Sequence, residues 1–434
     1  MQNRYFCGFN FNWPKMQSLS FLNLRSLTVI IYVLISGISL ESFSQVKDGN
    51  TFDFVNSSAQ INKPYVILIS GDGFRYDYAQ KYQAKNLLRL AGSGVSAKYM
   101  IPSYPSVTHP NHYTLITGLY PGHHGIIGNS FYDPLSGQNY DKSEKKWFKA
   151  ESVWETAAGQ QMITANINWV NGRTIGKGVK FLYQAPQKIA DINTGVKVNI
   201  LKDWLTMPEG KRPHLITLYF NNTDHAGHEF GPDSPETARA VAEIDEAVGL
   251  INSEVAKLNL PVNFIFVSDH GMIPIDKKNI LAIPTVIDSA NFVINNQNSL
   301  VNLYAKNKAL ISPVYEQLKK EAGNNYQVYL NGQFPSRLHY GGKDDVFQHS
   351  GDIILVPIYP KTFNPKAGPG MHGFDPVLNE QMGATFMAWG PAFKKGLTIE
   401  PFENVEVYSL ITNILGLKPA SNDGSGKLAK QVLN

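Results

Sequence analysis

Short apolar runs recur along this chain, and they constrain its fold more than any other feature of the sequence. Each run has five or six residues, a length typical of strands buried on both faces. The runs are residues 65–70, 164–168, 215–220, 264–268, 353–358 and 385–389. Helical patterns alternate with them, at residues 84–91, 154–161, 199–207, 234–258 and 405–415. This alternation predicts an α/β fold with a mostly parallel central sheet flanked by helices.

The alternation breaks down between about residues 280 and 368. This stretch contains short β-like pieces, a helical pattern at residues 312–322 and many asparagines and glycines. We expect it to form a small inserted α+β subdomain rather than a separate module. The chain has 434 residues and 43% hydrophobic content, which is ample for one large core that carries such an insert.

The N-terminus has the order of features found in a secretory signal peptide. Lys15 and Arg25 precede an apolar run at residues 27–40, and the small residues Ser42 and Ser44 follow that run before position 45. The run has about 14 residues, whereas a helix that spans a membrane needs roughly 20. An uncleaved N-terminal anchor is the alternative interpretation.

We therefore expect residues 1–44 to be a signal peptide with an N-terminal extension, in which Met16 could be the true start. Residues 45–434 would form the folded domain, exported to the periplasm or secreted, with no stable membrane span once the signal is cleaved. Cys7 is the single cysteine and precedes this domain, so we expect neither a disulfide framework nor a cysteine-based zinc site. Any metal ion would need His and carboxylate ligands.

The charge of the chain argues against one class of partner. The formal net charge is +4, and the basic residues are scattered rather than gathered in a run. A protein that binds a nucleic-acid polymer needs a concentrated basic surface. We therefore expect no nucleic-acid polymer as a partner, although a nucleotide could still be a substrate. As a separate expectation, the protein is a monomer.

Polar clusters rich in Asp and His follow predicted strands or begin predicted helices. They are Ser70-Gly71-Asp72-Gly73-Phe74-Arg75, Pro105-Ser106-Val107-Thr108-His109-Pro110-Asn111-His112-Tyr113, Asp224-His225-Ala226-Gly227-His228, Asp269-His270-Gly271 and Gly370-Met371-His372-Gly373. In open α/β sheets, ligands bind at the edge formed by the carboxyl ends of the strands. Each Asp or His taken alone could be a turn or core residue. Three of each at one edge favour a binuclear site, and oxygen and nitrogen ligands suit zinc.

Thr108 precedes a helical pattern in which Pro110 suits the first turn. The positive end of the helix dipole and the free N–H groups there favour an alkoxide and an anionic phosphate. A capping role is the alternative for this threonine. If a metal ion binds nearby, it would activate the hydroxyl without a separate general base.

The ordered set of motifs resembles the nucleotide pyrophosphatase/phosphodiesterase family of the alkaline phosphatase superfamily. The resemblance covers roughly residues 63–416. Its segments are Asp72-Gly73-Phe74-Arg75, Thr108-His109-Pro110-Asn111-His112-Tyr113, Gly118-Leu119-Tyr120-Pro121, His124-Gly125-Ile126, Asn129-Ser130-Phe131-Tyr132-Asp133-Pro134, Asp224 to His228, Asp269-His270-Gly271, His372-Gly373 and Gly390-Pro391.

The resemblance implies an alkaline phosphatase-like catalytic domain with two Zn²⁺ ions. One ion would be bound by Asp224, His228 and His372. The other would be bound by Asp72, Asp269 and His270, with the Thr108 oxygen approaching it as the nucleophile. Asn129 would donate a hydrogen bond to a phosphoryl oxygen. The family pattern does not use His225 as a ligand, and we treat His112, His123 and His124 as supporting residues.

The implied reaction is cleavage of phosphodiester or pyrophosphate bonds in nucleotides or related small molecules, through a phosphothreonine intermediate. The resemblance places Trp169 and Tyr219 where a nucleobase would stack, although both could be core aromatics. Two departures from the family pattern are His109, where an aromatic residue is common, and Arg173, which could reach a phosphate as could Lys177.

Because Arg173 could reach a phosphate, the alternative function is that of an alkaline phosphomonoesterase that uses the same threonine. A sulfatase is disfavoured, because its oxidised Cys or Ser nucleophile has no counterpart here. The complete set of ligands argues against a catalytically inactive binding protein on the same fold. A phosphonate-cleaving enzyme of the same superfamily is a further alternative.

Overall fold

The computed structural model describes residues 54–185 and 194–434. The predicted signal peptide at residues 1–44, with Cys7 and Met16, lies outside these ranges. The strands are β1 (Tyr65–Gly71), β2 (Val95–Ala97), β3 (Met100–Ile101), β4 (Tyr132–Asp133), β5 (Gln138–Asn139), β6 (Thr164–Ile167), β7 (Leu182–Gln184), β8 (Leu215–Phe220), β9 (Val262–Val267), β10 (Ile273–Pro274), β11 (Phe292–Asn296), β12 (Val301–Ala305), β13 (Tyr326–Leu330), β14 (Ile353–Pro357), β15 (Gly370–Met371), β16 (Phe386–Trp389), β17 (Leu397–Ile399) and β18 (Phe402–Glu403).

The α-helices include all of those predicted from the periodic patterns. They are α1 (Tyr78–Lys81), α2 (Lys85–Gly92), α3 (Thr108–Thr117), α4 (Pro121–His124), α5 (Val153–Gly159), α6 (Gly172–Ile175), α7 (Thr194–Leu205), α8 (Asn222–Phe230), α9 (Pro235–Ala256), α10 (Ile311–Ala322), α11 (Glu406–Leu415) and α12 (Lys427–Val432). Within the described ranges, no helix is both long and apolar enough to cross a lipid bilayer.

A central sheet of eight strands confirms the predicted α/β class. Its order is β17-β2-β16-β9-β1-β8-β6-β7. The five strands from β9 to β7 are mutually parallel, whereas β16 runs antiparallel to both β9 and β2. The sheet is therefore mostly parallel, and the carboxyl ends of β1, β8 and β9 meet at one edge.

Strand β1 is buried throughout and apolar from Val66 to Ile69, because helices cover both faces of the sheet. Val66 and Leu68 pack in one core cluster with residues of α3, α5 and α11. Ile67 and Ile69 pack on the opposite face in a second cluster with residues of α2, α7 and α9. This arrangement explains the continuous apolar run, since no residue of the strand faces water.

The long helix α9 begins and the helix α11 ends with the residue types that favour those positions. The Ser234 hydroxyl accepts a hydrogen bond from the Thr237 amide (3.1 Å), and Pro235 occupies the first helical position. Helix α11 stops at Gly416, whose φ of 63° is the left-handed conformation that glycine adopts readily.

The inserted α+β subdomain forms between β10 and β15, and we refer to residues 275–369 as the insert. Its antiparallel sheet has the order β11-β12-β14-β13 and packs with α10 around a separate apolar cluster. The apolar run at 353–358 forms β14 and therefore belongs to this small sheet, not to the central one. At the base of the insert, β10 and β15 form an antiparallel ribbon that pairs Ile273 with Met371.

Candidate metal and nucleophile site

Asp72 and Asp224 approach each other at the carboxyl edge of the central sheet. Asp72 directly follows β1, and its amide donates to the Phe220 carbonyl at the end of β8 (2.8 Å). Gly73 then turns the chain with a φ of 62°. A Cβ at position 73 would lie 3.0 Å from the Asp224 Cα. Glycine at this position therefore permits both the backbone turn and the close approach of the two acidic segments.

Asp269 and His270 follow the neighbouring strand β9. One Asp269 oxygen, Oδ1, accepts a hydrogen bond from the Gly73 amide (3.1 Å), which orients the carboxylate. The His270 Nδ1 lies 2.8 Å from the Gly271 carbonyl, to which it can donate. His270 Nε2 consequently faces the acidic side chains, 3.0 Å from Asp269 Oδ2 and 3.5 Å from Asp72 Oδ1.

Two further histidines converge on Asp224. His228 lies one turn after Asp224 in α8, and its Nδ1 is 3.0 Å from the Gly370 carbonyl. His372 follows β15, and its Nδ1 is 3.1 Å from the Ser106 carbonyl. These bonds assign the proton of each ring to Nδ1 and direct both Nε2 lone pairs toward Asp224 Oδ1, at 3.4 and 3.5 Å.

Unpaired carboxylate oxygens indicate that this cluster fits cations. Among the described residues, Asp72 Oδ1, Asp224 Oδ1 and Asp269 Oδ2 are buried without a hydrogen-bond partner. Such oxygens are costly unless a cation or donor meets them. Ligands about 2.0 Å from a tetrahedral ion lie ~3.3 Å apart, which is close to the separations between Asp224 Oδ1 and the two Nε2 atoms.

The pKa shifts of the cluster differ from residue to residue. Against the effect of burial, Asp224 raises the pKa of His228 and Asp269 raises the pKa of His270. Burial, with the nearby Asp269 and Asp224 carboxylates, raises the pKa of Asp72 well above its ordinary value. Burial, together with the neighbouring His270 and His228, lowers the pKa of His372 to about 3. A neutral imidazole is the form that binds metal ions, and a cation would relieve the repulsion among the carboxylates.

Thr108 begins α3 beside this cluster. Its Oγ1 lies 3.3 Å from His270 Nε2. The amide of His109, the next residue, donates to Asn129 Oδ1 (2.8 Å). This bond places the Asn129 side chain at the helix N-terminus and leaves its Nδ2 amide group as the donor.

His112 lies among the proposed metal ligands, but its hydrogen bonds show that it supports Thr108. It groups with Asp72 and Asp269 by distance. However, its Nδ1 lies 3.0 Å from the Thr108 carbonyl, and its Nε2 lies 2.9 Å from Ser70 Oγ. Both ring nitrogens are thus engaged. Burial lowers the pKa of His112, so the ring is neutral, donates to Thr108 and accepts from Ser70.

Trp169, Tyr219 and Arg173 line one cavity of about 240 Å³ beside the cluster. The two aromatic rings pack edge-on against His112, with centroids 5.2 and 5.3 Å from it. Tyr219 also donates its hydroxyl proton to Asp72 Oδ2 (2.6 Å). Arg173 donates to the Ala185 carbonyl (2.6 Å) at the cavity wall. Tyr219 therefore contacts the acidic cluster, Trp169 and Tyr219 both pack against the helix that begins at Thr108, and both rings line the cavity.

The remaining histidines in the motifs have other partners. His225 is largely exposed and lies 3.2 Å from Glu229, one turn further along α8. His124 Nε2 is 3.1 Å from Thr114 Oγ1 in the core. His123 lies between Asp423 and Asp344, at 2.8 and 3.3 Å.

Comparison with known proteins identifies the family. The sequence pattern of the type I phosphodiesterase / nucleotide pyrophosphatase family matches residues 66–375, which include the whole acidic and histidine cluster. The chain belongs to this family. Its members are phosphodiesterases and nucleotide pyrophosphatases, and are therefore hydrolases of phosphoric ester and anhydride bonds.

Members of this family from animals and yeast are similar to this chain in sequence. Ectonucleotide pyrophosphatase/phosphodiesterase family member 1 of Mus musculus is 32% identical over 399 residues, covering 86% of this chain and 43% of that protein. A pyrophosphatase/phosphodiesterase of Schizosaccharomyces pombe is 29% identical over 446 residues, covering 95% of this chain and 89% of that protein. This chain thus spans less than half of the length of the mouse relative.

Solved structures share the fold. Murine ectonucleotide pyrophosphatase/phosphodiesterase 5 superposes with a TM-score of 0.78 at 26% identity, covering 85% of this chain and all of that one. An inactive threonine-to-alanine variant of the same murine protein, in complex with AMP, has a TM-score of 0.76 at 25% identity, covering 86% of this chain and all of that one.

Ser70 and Ser106 are the supporting residues of this phosphodiesterase-family site to which the sequence assigned no role. Both lie inside the motifs, directly before or near the proposed ligands. Ser106 accepts from His372 through its carbonyl and donates its hydroxyl proton to the Phe374 carbonyl (2.6 Å). The signal that could have found them is their place beside the proposed ligands and nucleophile, Ser70 at the end of β1 and Ser106 two residues before α3.

Proposed function

We propose that this chain hydrolyses phosphodiester or pyrophosphate bonds of nucleotides or related small molecules at a two-zinc site, with Thr108 as the nucleophile. The observation that carries the proposal is the position of Thr108 Oγ1. It lies at a helix N-terminus, 3.3 Å from His270 Nε2, beside three buried carboxylate oxygens that have no hydrogen-bond partner among the described residues. Family membership supports the same reaction class.

Two sets of three side chains would hold the metal ions. Asp224, His228 and His372 would hold one. Asp72, Asp269 and His270 would hold the other, because His270 Nε2 lies 3.5 Å from an Asp72 oxygen and 3.0 Å from an Asp269 oxygen. When bound, two zinc ions supply positive charge that stabilises the attacking and leaving oxygens of an in-line displacement.

In the first step, Thr108 Oγ forms a bond to phosphorus and the bond from phosphorus to the leaving oxygen breaks. The proton of the Thr108 hydroxyl is lost, and the departing oxygen gains a proton from the solvent. Helix α3 presents its N-terminal dipole to the anionic phosphoryl group. His112 contributes by holding the Thr108 carbonyl, which fixes the first turn of the helix.

In the second step, water attacks phosphorus and the bond to Thr108 Oγ breaks, which restores the hydroxyl and releases a phosphomonoester. We assign Asn129 the role of donating its Nδ2 amide to a phosphoryl oxygen in both steps, because its Oδ1 already accepts from the His109 amide. Two displacements give overall retention of configuration at phosphorus. Inversion, measured with a chirally labelled phosphodiester, would exclude the covalent intermediate.

A nucleotide is the substrate class that we propose. The cavity lined by Trp169, Tyr219 and Arg173 adjoins the acidic cluster through the Tyr219 hydroxyl. Its wall also contains three asparagine side chains, Asn166, Asn168 and Asn171, which offer donors and acceptors to a base or ribose. The AMP complex of the murine relative supports this class.

The deciding experiment compares two chromogenic esters. We expect the zinc-loaded protein to have a higher kcat/KM on bis-p-nitrophenyl phosphate than on p-nitrophenyl phosphate. Thr108→Ala should abolish the activity, whereas Thr108→Ser should retain part of it because the hydroxyl remains. A preference for the monoester would make the chain a phosphomonoesterase. Full activity in Thr108→Ala would remove Thr108 from the mechanism.

Export is also part of the proposal, because the order of charged, apolar and small residues over 1–44 is typical of a secretory signal. We propose that the catalytic domain starts at Gln45 and acts as a monomer in the periplasm or outside the cell. N-terminal sequencing of the exported protein tests the cleavage site, and sedimentation tests the oligomeric state.

A further inference from the structure

Arg75 is a buried charged residue to which the proposed reaction assigns no role. It is 1% exposed, and its Cζ atom lies over the ring of Tyr78, 4.8 Å from the ring centroid. Its Nε and Nη2 atoms donate to the two carboxylate oxygens of Asp77, at 2.6 and 3.0 Å. A buried charge is costly unless it is paired and hydrogen-bonded, and this arginine meets both conditions.

Two further hydrogen bonds of Arg75 reach segments that are distant in the sequence. Its Nη2 atom donates to Asp233 Oδ1 (3.0 Å), 158 residues away, and its Nη1 atom donates to the Met272 carbonyl (3.2 Å), 197 residues away. Four of the five N–H groups of the guanidinium are thus engaged. Because the side chain is also buried, it presents no free face to a substrate phosphate.

Each of the three segments that meet at Arg75 carries proposed metal ligands. Arg75 lies three residues after Asp72, and Met272 lies two residues after His270. Asp233 lies in the turn that joins α8 to α9, and α8 carries two ligands of the other ion. One side chain therefore joins the ligand segments of both proposed zinc ions.

The charges around Arg75 balance within their own group. Lys81 also pairs with Asp233, so two cations, Arg75 and Lys81, meet two carboxylates, Asp77 and Asp233. This group is neutral as a whole and adds no net charge beside the acidic cluster. Arg75 therefore acts on the metal site through the geometry of its hydrogen bonds rather than through its charge.

The acidic cluster needs such a support before a cation binds. Asp72 Oδ1, Asp224 Oδ1 and Asp269 Oδ2 are buried without a hydrogen-bond partner among the described residues, and neighbouring carboxylates repel each other. Residues that hold the ligands from behind reduce the ordering that zinc binding would otherwise require. A lysine cannot replace Arg75 here, because a single ammonium nitrogen lacks the planar fork that reaches three segments.

We propose that Arg75 is a positioning residue that holds the ligand segments of both zinc ions at their binding distance before the ions arrive. This inference rests on the proposed two-zinc site and assigns no contact between Arg75 and the substrate. It requires that loss of the guanidinium fork weakens zinc binding and not only the stability of the fold.

The test compares the zinc affinities of Arg75→Lys and Arg212→Lys by competition with a chromogenic chelator. Arg212 is a matched control at the amino edge of the same sheet, because it also lies over a tyrosine ring, that of Tyr65. It donates to the Tyr65 hydroxyl (3.1 Å) and to the Met207 carbonyl (3.2 Å). We expect Arg75→Lys to weaken zinc binding by ~10–100-fold and Arg212→Lys to keep the wild-type affinity. Raising the zinc concentration should recover part of the activity of Arg75→Lys.

Asp233→Asn is a second variant that decides the matter if Arg75→Lys does not fold. The Asp233 side chain is 51% exposed, so its replacement by an amide of the same shape perturbs the core little. The bond from Arg75 to the turn after α8 becomes weaker, whereas those to Asp77 and Met272 remain. We expect one of the two zinc ions to bind roughly tenfold more weakly and the other to bind as in the wild type.

Several results would overturn the inference. They are wild-type zinc affinity in Asp233→Asn, an equal loss of affinity in the two arginine variants, or a fall in the Tm of Arg75→Lys without any change in zinc affinity. The last result would show that Arg75 only stabilises the fold. If the wild-type protein itself bound fewer than two zinc ions, the two-zinc site would fail first, and the inference with it.

Discussion

The central sheet and the small sheet of the insert are both built from apolar strands, but the proposed metal ligands gather only around the first. The parallel strands β1, β8 and β9 place their carboxyl ends side by side, so residues far apart in sequence meet there. The antiparallel strands of the insert alternate in direction, which sends consecutive strand ends to opposite edges. Parallel strands therefore bring reactive side chains together at one edge, whereas antiparallel strands distribute their ends over both edges.

His372 connects the two regions. It follows the insert in sequence but joins the ligands of the central sheet, because β15 returns to pair with β10 directly after β9. Residues 275–369 thus contain no proposed ligand, but the pairing of β15 with β10 at the end of the insert positions His372.

We expect the largest difference in activity between two aspartate variants, one in each region. Asp269→Asn removes a proposed ligand, and we expect kcat/KM on bis-p-nitrophenyl phosphate to fall by more than the ~10–100-fold that loss of a supporting bond costs a metal site. Asp352→Asn alters a carboxylate that holds the Ala305 amide and Lys308 in the insert. It should leave kcat/KM within about twofold of the wild type. Equal losses in the two variants would contradict the division between the regions.

Two glycines sharpen the comparison at the level of the backbone. Gly73→Ala and Gly323→Ala both force alanine into a positive φ, which costs ~1–2 kcal/mol of folding free energy in the left-handed region. The cost is greater at Gly323, whose ψ of −130° lies outside that region. A Cβ at Gly323 meets no atom within 4 Å, whereas one at Gly73 presses on the Asp224 backbone. We expect both variants to lose thermal stability, but zinc binding and activity to be lost only in Gly73→Ala. Calorimetry and metal analysis of the two purified variants would decide this.

The sequence predicted β1, β6, β8, β9 and β16 of the central sheet and the longer helices, because their apolar patterns are regular. It did not predict β2, β7 and β17, which have three residues each and are too short to show a pattern. It did not determine strand direction, since a run such as Phe386–Trp389 is apolar whether it runs parallel or antiparallel. It also could not assign β14 to the small sheet, because burial leaves the same pattern in either sheet. The proposed ligands were found as residue types at strand ends, but their supporting bonds, such as Ser106 to His372, depend on tertiary contacts that no local pattern records.

A smaller effect should follow from Ser106→Ala. The hydroxyl of Ser106 donates to the Phe374 carbonyl, and its carbonyl accepts from His372. Without the hydroxyl this loop is held less firmly, so we expect zinc affinity to fall roughly tenfold with little loss of stability. Competition with a chromogenic chelator measures the affinity. Ser350→Ala, which loses a hydroxyl bond to Asp345 inside the insert, serves as the control and should keep the wild-type zinc affinity.

The smallest effect should appear at the contact between the two regions made by His123. Hydrogen bonds to Asp423 and Asp344 raise the pKa of His123 above its ordinary value. The protonated ring therefore stabilises the fold at pH values below the ordinary histidine pKa, and this contribution is lost as pH rises through the raised value. His123→Gln should lower the Tm by roughly 1–2 °C more at pH 5.5 than at pH 9. A pH-independent difference would show that His123 contributes packing alone.

The ribbon of β10 and β15 makes the insert an exchangeable part of the enzyme. Its two ends leave the ribbon as neighbours, so a replacement segment of another length needs only ends that can meet at the same spacing. The entropy of closing such a loop grows slowly with its length, by about 0.6 kcal/mol for each doubling. A different insert could therefore change this surface without moving the residues at the carboxyl edge of the central sheet.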